Sequence, residues 1–250
     1  MRIVVFDTET TSLEKPFCYN IGIIGYDTET KEILFRKEWI IEQIWHNLPL
    51  FNSAYYAEKR PIYVAKMRGR TAHLDKYGYV MQRMNRLFQN YNIEGAYAFN
   101  SDFDKRVFNF NCDWYKCLNP FDTMPIFDIR AYAQNRIAFT KGYQTFCEKN
   151  SLFTDSGNYP STAESLCQYI SNNADFKEEH TALNDSQIEL EILLQCIARG
   201  AKWNEEYKTY RSIPRRKMKL LELKARDGVT RYFAFEGMRW TKNKTKLTLS

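Results

Sequence analysis

MRIVVFDTETTSL, residues 1–13, is the stretch whose reading decides the fold. Its apolar run, Arg2 to Asp7, leads into acids at Asp7 and Glu9. If the run is a strand, side-chain alternation sends both carboxylates to one side, where together they could hold a metal ion. The string DTET recurs at Asp27 to Thr30, inside NIGIIGYDTETKE, so a choice between identical acidic pairs has to be made.

Working outward, Asn20 to Tyr26 is a second apolar run, rich in Ile and Gly, and Lys31 to Ile41 (KEILFRKEWII) is a third. The polar residues Asp27 to Glu32 between them read as a hairpin turn, which makes an antiparallel three-stranded meander. From Trp45 to Tyr91 the pattern turns helical and aromatic, with Pro61 and Gly69 as breaks. Ala96 to Phe99 reads as a buried strand and FDKRVFNFNCDWY as an amphipathic helix; Pro125 to Asp128 (PIFD) is a further strand feeding the helix IRAYAQNRIAF. Helices are also expected over Tyr143 to Lys149, over Thr162 to Ile170 with Ser161 or Thr162 as its cap, and over Thr181 to Arg199 with Gly200 as a stop. Strands followed by alternating helix and strand give an α/β fold, a mixed β-sheet flanked by helices. After Gly200, KLLELKARDGVTRYFAF carries two β-like runs around Asp227 and Gly228, a hairpin signal. The expected division is one domain over 1–200 and a small basic β-rich extension over 201–250.

With 44% hydrophobic and 26% charged residues the chain falls among globular proteins and outside the disordered classes. An acidic pair interrupts the N-terminal apolar run too early for a signal peptide, and no stretch approaches the ~18 apolar residues of a membrane span. The six cysteines show no CxxC or Cys/His zinc spacing, which suits reduced, buried thiols in a cytoplasmic protein. The net charge of +6 is uneven: residues 201–250 hold 14 Lys and Arg against 5 Asp and Glu, whereas the rest carry 22 against 25. A basic segment on an acidic body suggests a polyanionic partner, most simply nucleic acid, held by Arg215, Arg216, Lys217 and Lys219, with Lys242, Lys244 and Lys246 beyond. A protein-binding or oligomer surface is the alternative. Tyr55, Tyr56, Tyr63, Tyr77 and Tyr79 either stack on unpaired bases or form half-buried helix faces.

Downstream, AFNSDFD offers Asp104 at the end of a strand, and HTALNDSQIELEIL offers His180 and Asp185 at the start of a long helix. Gathering Asp7, Glu9, Asp104 and Asp185 would raise their pKa values against one another unless cations neutralise them. Hard oxygen ligands without supporting Cys or further His favour two Mg²⁺ or Mn²⁺ ions over Zn²⁺, and such ions suit phosphodiester hydrolysis. His180, five residues before Asp185 and so about 500° away on a regular helix, reads better as a loop or first-turn residue and as a general base.

FDTETTSL, FNSDFDKRVF and HTALNDSQIE together resemble, in order and rough spacing, the three exonuclease motifs of the DnaQ-like (DEDDh) 3′-to-5′ exonucleases of the ribonuclease H-like fold, over residues 1–197. The resemblance implies that Asp7, Glu9, Asp104 and Asp185 bind the metals and that His180 is the general base. Thr181 stands where a tyrosine-type relative would carry its Tyr. Thr10, Thr11 and Leu13 resemble positions that meet the terminal sugar and base, and Asn100 and Phe103 resemble residues shaping the pocket. Asp128 resembles a helix-capping aspartate, Asp102 reads as a solvated neighbour, and Ser12 departs from the Gly found in many relatives. The implied substrates are 3′ ends of single-stranded or frayed DNA or RNA. A stand-alone exonuclease ranks first. A proofreading subunit bound to a polymerase or other replication or repair protein, an RNA-trimming enzyme, and a non-catalytic nucleic-acid-binding protein are its rivals.

Hairpin geometry separates the two acidic pairs. The second strand runs back along the first, so Asp27 and Glu29 should lie roughly 15–20 Å from Asp7 and Glu9, in an exposed turn. Asp7 and Glu9 are the expected catalytic pair.

Overall fold

The computed structural model describes residues 1–215 and the backbone of Lys219–Lys224 and Thr230–Phe235, and it carries the N-terminal apolar run as an inner strand of a six-stranded sheet. Strand β1 (Arg2–Thr10) pairs antiparallel with β2 (Cys18–Asp27), which pairs antiparallel with β3 (Ile33–Ile41), as the meander requires. A short strand β4 (His73–Asp75) joins β3 in parallel, and on the other side β5 (Gly95–Ala98) lies parallel to β1 and β6 (Ile126–Asp128) parallel to β5. The order is therefore β4-β3-β2-β1-β5-β6. The sequence reading had no β4, because this edge strand has no buried position and so leaves no apolar alternation to read.

The helices follow in chain order: α1 (Glu42–Trp45), α2 (Leu48–Phe51), α3 (Arg60–Arg68), α4 (Tyr77–Asn90), α5 (Ser101–Tyr115), α6 (Ile129–Ala133), α7 (Lys141–Lys149), α8 (Ala163–Ile170) and α9 (Ala182–Ala198). Pro61 opens α3 rather than breaking a helix, since the first helical turn has no use for its missing N–H. Thr162 caps α8 in a reciprocal box with Ser165, and Gly200, at φ +83°, turns the chain out of α9.

The period-two alternation of β1 divides the core. Val4 and Phe6 face α4 and α5, where Phe6 stacks on Phe121 at 4.3 Å and meets Phe108 edge-on at 5.7 Å. Ile3 and Val5 face the layer of α6 to α9, packed with Tyr132, Tyr143, Leu166, Leu190 and Leu193. All ten residues of β2 are buried because both faces are covered. The start of α9 is fastened to β2: Ala182 donates its N–H to Asn20 Oδ1 at 2.9 Å and Ser186 donates its hydroxyl to the Gly22 carbonyl at 3.1 Å. Only glycine fits at 22, since a Cβ there would stand 2.2 Å from the carbonyl carbon of Ala182.

Asp27 departs from the expected exposed turn. Opposite Arg2 in the register, it is only 7% exposed, accepts from Arg2 Nε at 3.1 Å, and takes the backbone N–H groups of Glu29 and Thr30. Closing the turn through its own carboxylate draws it inward; Glu29 remains outside and holds the N-terminal ammonium at 2.7 Å. Among the aromatics considered for base stacking, Tyr63 and Tyr77 are fully buried, which leaves Tyr55, Tyr56 and Tyr79.

From Ala201 to Ile213 the chain stays on the body. Asn204 exchanges hydrogen bonds with the Tyr97 hydroxyl, Tyr210 donates to Gln134 Oε1 at 2.7 Å, and buried Ile213 bridges to Tyr159. Strands β7 (Lys219–Lys224) and β8 (Thr230–Phe235) pair antiparallel as the hairpin reading expects. Arg216, Lys217, Lys242, Lys244 and Lys246 lie outside the described residues, and Lys219 is placed only as a backbone position opposite Phe235. Among the described residues, no helix is long and apolar enough to cross a membrane.

Candidate active site

Asp7 and Glu9 continue the odd-numbered face of β1, the face that α9 covers, and Asp185 enters from the first turn of that helix. One carboxylate oxygen from each of Asp7, Glu9 and Asp185 can be chosen so that all lie within 4.8 Å of one another. Asp104 lies outside this triplet. It projects from the first turn of α5, on the opposite face of β1, where its buried carboxylate accepts from the Thr8 hydroxyl at 2.6 Å. Thr8 has the even parity that Asp7 and Glu9 lack, yet Asp104 still acts on the pair, since its charge helps to raise the carboxyls of both Asp7 and Glu9.

Burial, and then the charge of Asp104 on Asp7 and of Asp7 and Asp185 on Glu9, pushes the carboxyls of Asp7 and Glu9 well above the ordinary carboxylate range. Asp185 is raised to about 9 by burial and by Asp7; Asp104 is raised to about 7 by burial, against the Thr8 hydrogen bond. Among the described residues none of these carboxylates is in an ion pair, and the buried Asp185 Oδ1 has no hydrogen-bond partner. Three converging hard oxygens with an orphaned buried acceptor fit a divalent cation, whose charge removes the cost of keeping them together.

The cleft over the triplet measures about 550 Å³ and admits His180 from the loop before α9. His180 sits at φ +55°, a left-handed conformation that side chains other than glycine adopt at a cost. Its ring lies flat on Tyr56, with centroids 4.3 Å apart and planes 11° from parallel. Partial burial and the Lys59 ammonium lower its pKa, so the imidazole is neutral at neutral pH and able to accept a proton. The loop is braced at the next residue by Lys66, which donates to the Thr181 hydroxyl at 2.8 Å and pairs with buried Glu38 at 3.1 Å. The long segment between β3 and α4 thus supplies both Tyr56 and Lys66 to the loop that bears His180.

Of the other expected contacts, Asn100 lines the cleft, in a left-handed conformation with its N–H on Asp128 Oδ1 at 2.9 Å. Thr10, Thr11, Leu13 and Phe103 do not line it: the Thr11 hydroxyl is turned to the Lys15 carbonyl, Leu13 is 74% exposed, and Phe103 packs against the core beneath Arg106. Asp128 caps α6, and Asp102 is solvated beside Lys105, as read from the sequence. Arg215 points elsewhere, 3.9 Å from Glu148 and over the Phe153 ring.

The sequence reading passed over four charged residues of the cleft. Glu189, buried and accepting from the Phe99 N–H at 3.1 Å, stands one turn after Asp185 on the same helix face, a spacing that could have revealed it. Glu178, raised to about 7 by burial, and Arg130 and Arg211 come from segments with no motif.

No family model matches the chain, and no curated protein matches it in sequence. Solved structures do. The nuclease domain of 3'hExo, a DEDDh family member, bound to rAMP, is similar at a TM-score of 0.52 and 14% identity, over 80% of this chain and 92% of that one. A 3'-exonuclease in 3'-end specific recognition of a histone mRNA stem-loop gives a TM-score of 0.52 and 14% identity over 80% of this chain and 64% of that one. An ExoI/SSB-Ct complex gives 0.50 and 12%, over 80% of this chain and 41% of that one. At these identities the likeness is one of fold: this chain and those solved exonuclease structures share a mixed sheet flanked by helices.

Proposed function

We propose that this protein is a 3′-to-5′ exonuclease that hydrolyses the terminal phosphodiester of single-stranded or frayed nucleic acid and releases nucleoside 5′-monophosphates. The observation that carries the reading is the convergence of Asp7, Glu9 and Asp185 in an open cleft, with an unpartnered buried oxygen on Asp185. The fold relatives support it: one was solved with rAMP, a nucleoside monophosphate, and another in recognition of an RNA 3′ end.

In this reading Asp7, Glu9 and Asp185 hold divalent cations, Mg²⁺ or Mn²⁺, with Asp104 completing the set from the opposite face of β1. Bound there, the cations supply charge neutralisation for the phosphate and a lowered pKa for the attacking water. His180 Nε2 or Nδ1 takes the proton from that water, and its neutral state makes it ready to do so. The Tyr56 ring holds the imidazole in one plane, and the left-handed backbone at His180 turns it over the cleft rather than along α9.

The test incubates wild type and Asp7→Ala with 3′-labelled and 5′-labelled single strands of DNA and RNA, in Mg²⁺ or in EDTA. Mg²⁺-dependent loss of the 3′ label before the 5′ label, absent in the variant, is the expected result. Strands that stay intact but bound would overturn it in favour of a non-catalytic binding protein, and the rates on DNA and RNA separate a DNA-directed from an RNA-trimming enzyme.

A further inference from the structure

The wall of the cleft facing the carboxylates is built from two segments far apart in sequence, Thr154–Ala163 and Arg211–Ser212, which the Tyr159–Ile213 bridge holds side by side. Its chemistry is the reverse of the acidic floor. It is lined by the hydroxyl-bearing residues Thr154, Ser156, Ser161 and Ser212 together with two arginines, Arg130 from α6 and Arg211.

Among the described residues neither arginine is in an ion pair, although Asp7, Glu9, Glu178, Asp185 and Glu189 line the same cleft. Arg130 Nε is buried and has no hydrogen-bond partner, an unmet donor on a permanently charged group. The Ser161 hydroxyl accepts from Gln134 Nε2 at 3.1 Å, which leaves its own proton free to donate. Unpaired guanidinium forks beside a hydroxyl donor hold an oxyanion, and in a cleft that takes a nucleic-acid strand the oxyanion at hand is a backbone phosphate diester.

We propose that Arg130 and Arg211 form a second phosphate subsite, which holds the backbone phosphate one or two nucleotides upstream of the scissile bond and makes the protein favour a polynucleotide over a dinucleotide. The proposal rests on the exonuclease reading for its direction of travel. The strand enters along the wall of residues 154–163 and 211–212, and its 3′ end lies over Asp7, Glu9 and Asp185. The carboxyl floor offers a polyanion no attraction; the wall supplies the attraction that orients the strand before cations complete the site.

The test compares wild type, Arg130→Gln and Arg211→Gln on thymidine dinucleotide, whose one phosphate is the scissile one, and on dT6. Removing a charge-assisted phosphate contact should lower the ratio of kcat/KM on dT6 to that on the dinucleotide by about 10- to 100-fold, and should flatten the salt dependence of dT6 binding by about 0.7 in log–log slope for each phosphate released. Arg211 is exposed, so its variant keeps the test open if Arg130→Gln misfolds. A ratio unchanged in Arg211→Gln and in folded Arg130→Gln overturns the subsite while leaving the exonuclease reading in place. If the wild type cleaves neither substrate, the exonuclease reading falls, and equilibrium binding of labelled dT6 in EDTA decides: affinity weakened about tenfold or more by either variant sustains the phosphate site, and unchanged affinity overturns it.

Discussion

Replacing Gly22 with alanine would test how tightly the fold sets the active site. The glycine lies opposite Asp7 in the β1–β2 register, and an added Cβ would stand 2.2 Å from the Ala182 carbonyl carbon and 2.3 Å from the Leu183 nitrogen. Ordinary contact begins near 3.4 Å, so about 1.2 Å of clearance must be found. The strand cannot provide it, because β2 is hydrogen-bonded to β1 and β3 on its two edges. Helix α9 must retreat, and Asp185, Glu189 and the His180 loop go with it. A shift of about 1 Å between reacting groups can cost about 10²-fold in rate, whereas overpacking typically costs about 1–3 kcal/mol of stability. The assay is single-turnover cleavage of a 5′-labelled single strand at saturating Mg²⁺, beside urea unfolding of the same preparation. A folded Gly22→Ala protein with kcat within about threefold of wild type would refute the claim that this approach sets the register of the site.

Three further outcomes follow from the same geometry. His180→Ala should lose about 10²- to 10⁴-fold in kcat while retaining Mn²⁺ binding by calorimetry; unchanged turnover would remove the general base. Tyr56→Ala should lower kcat by about tenfold or less and move the acid limb of its pH profile up toward the ordinary histidine value of 6.5 as the imidazole becomes more solvated; an unmoved limb would make the stack irrelevant to the base. In EDTA the Tm should fall as pH rises from about 4 to about 9, since the folded carboxylic acids keep protons that the unfolded chain releases near its ordinary carboxylate pKa. Mg²⁺ should raise Tm most at the upper end of that range, and a Tm that climbs with pH in EDTA would contradict the assigned burial.

The meander, the parallel strands and the main helices were legible because their buried positions repeat with periods that a single face imposes. Asp7, Glu9 and Asp185 were legible as neighbours through the order of their motifs. The offset of Asp104 follows from the parity of Thr8 against Asp7, which the sequence contains but which matters only once α5 and α9 are known to cover opposite faces of β1. Asp27 was misread because a turn aspartate that accepts from its own following N–H groups becomes buried, and composition alone does not reveal that closure. Arg130 and Arg211 were beyond reach: they meet in one cleft only because residues 201–213 fold back over the body. The stack of Tyr56 on His180 was equally hidden, since it joins a segment without regular periodicity to a loop.

The two DTET strings give the most direct test. Asp7→Asn and Asp27→Asn are the same change in the same tetrapeptide, one in the carboxylate cleft and the other paired with Arg2 at the far end of the hairpin. With Mg²⁺ and a 5′-labelled single strand, Asp7→Asn should leave the strand full length, while Asp27→Asn should shorten it from the 3′ end at a rate near wild type. Cleavage that survives in folded Asp7→Asn, or disappears in folded Asp27→Asn, would contradict the account.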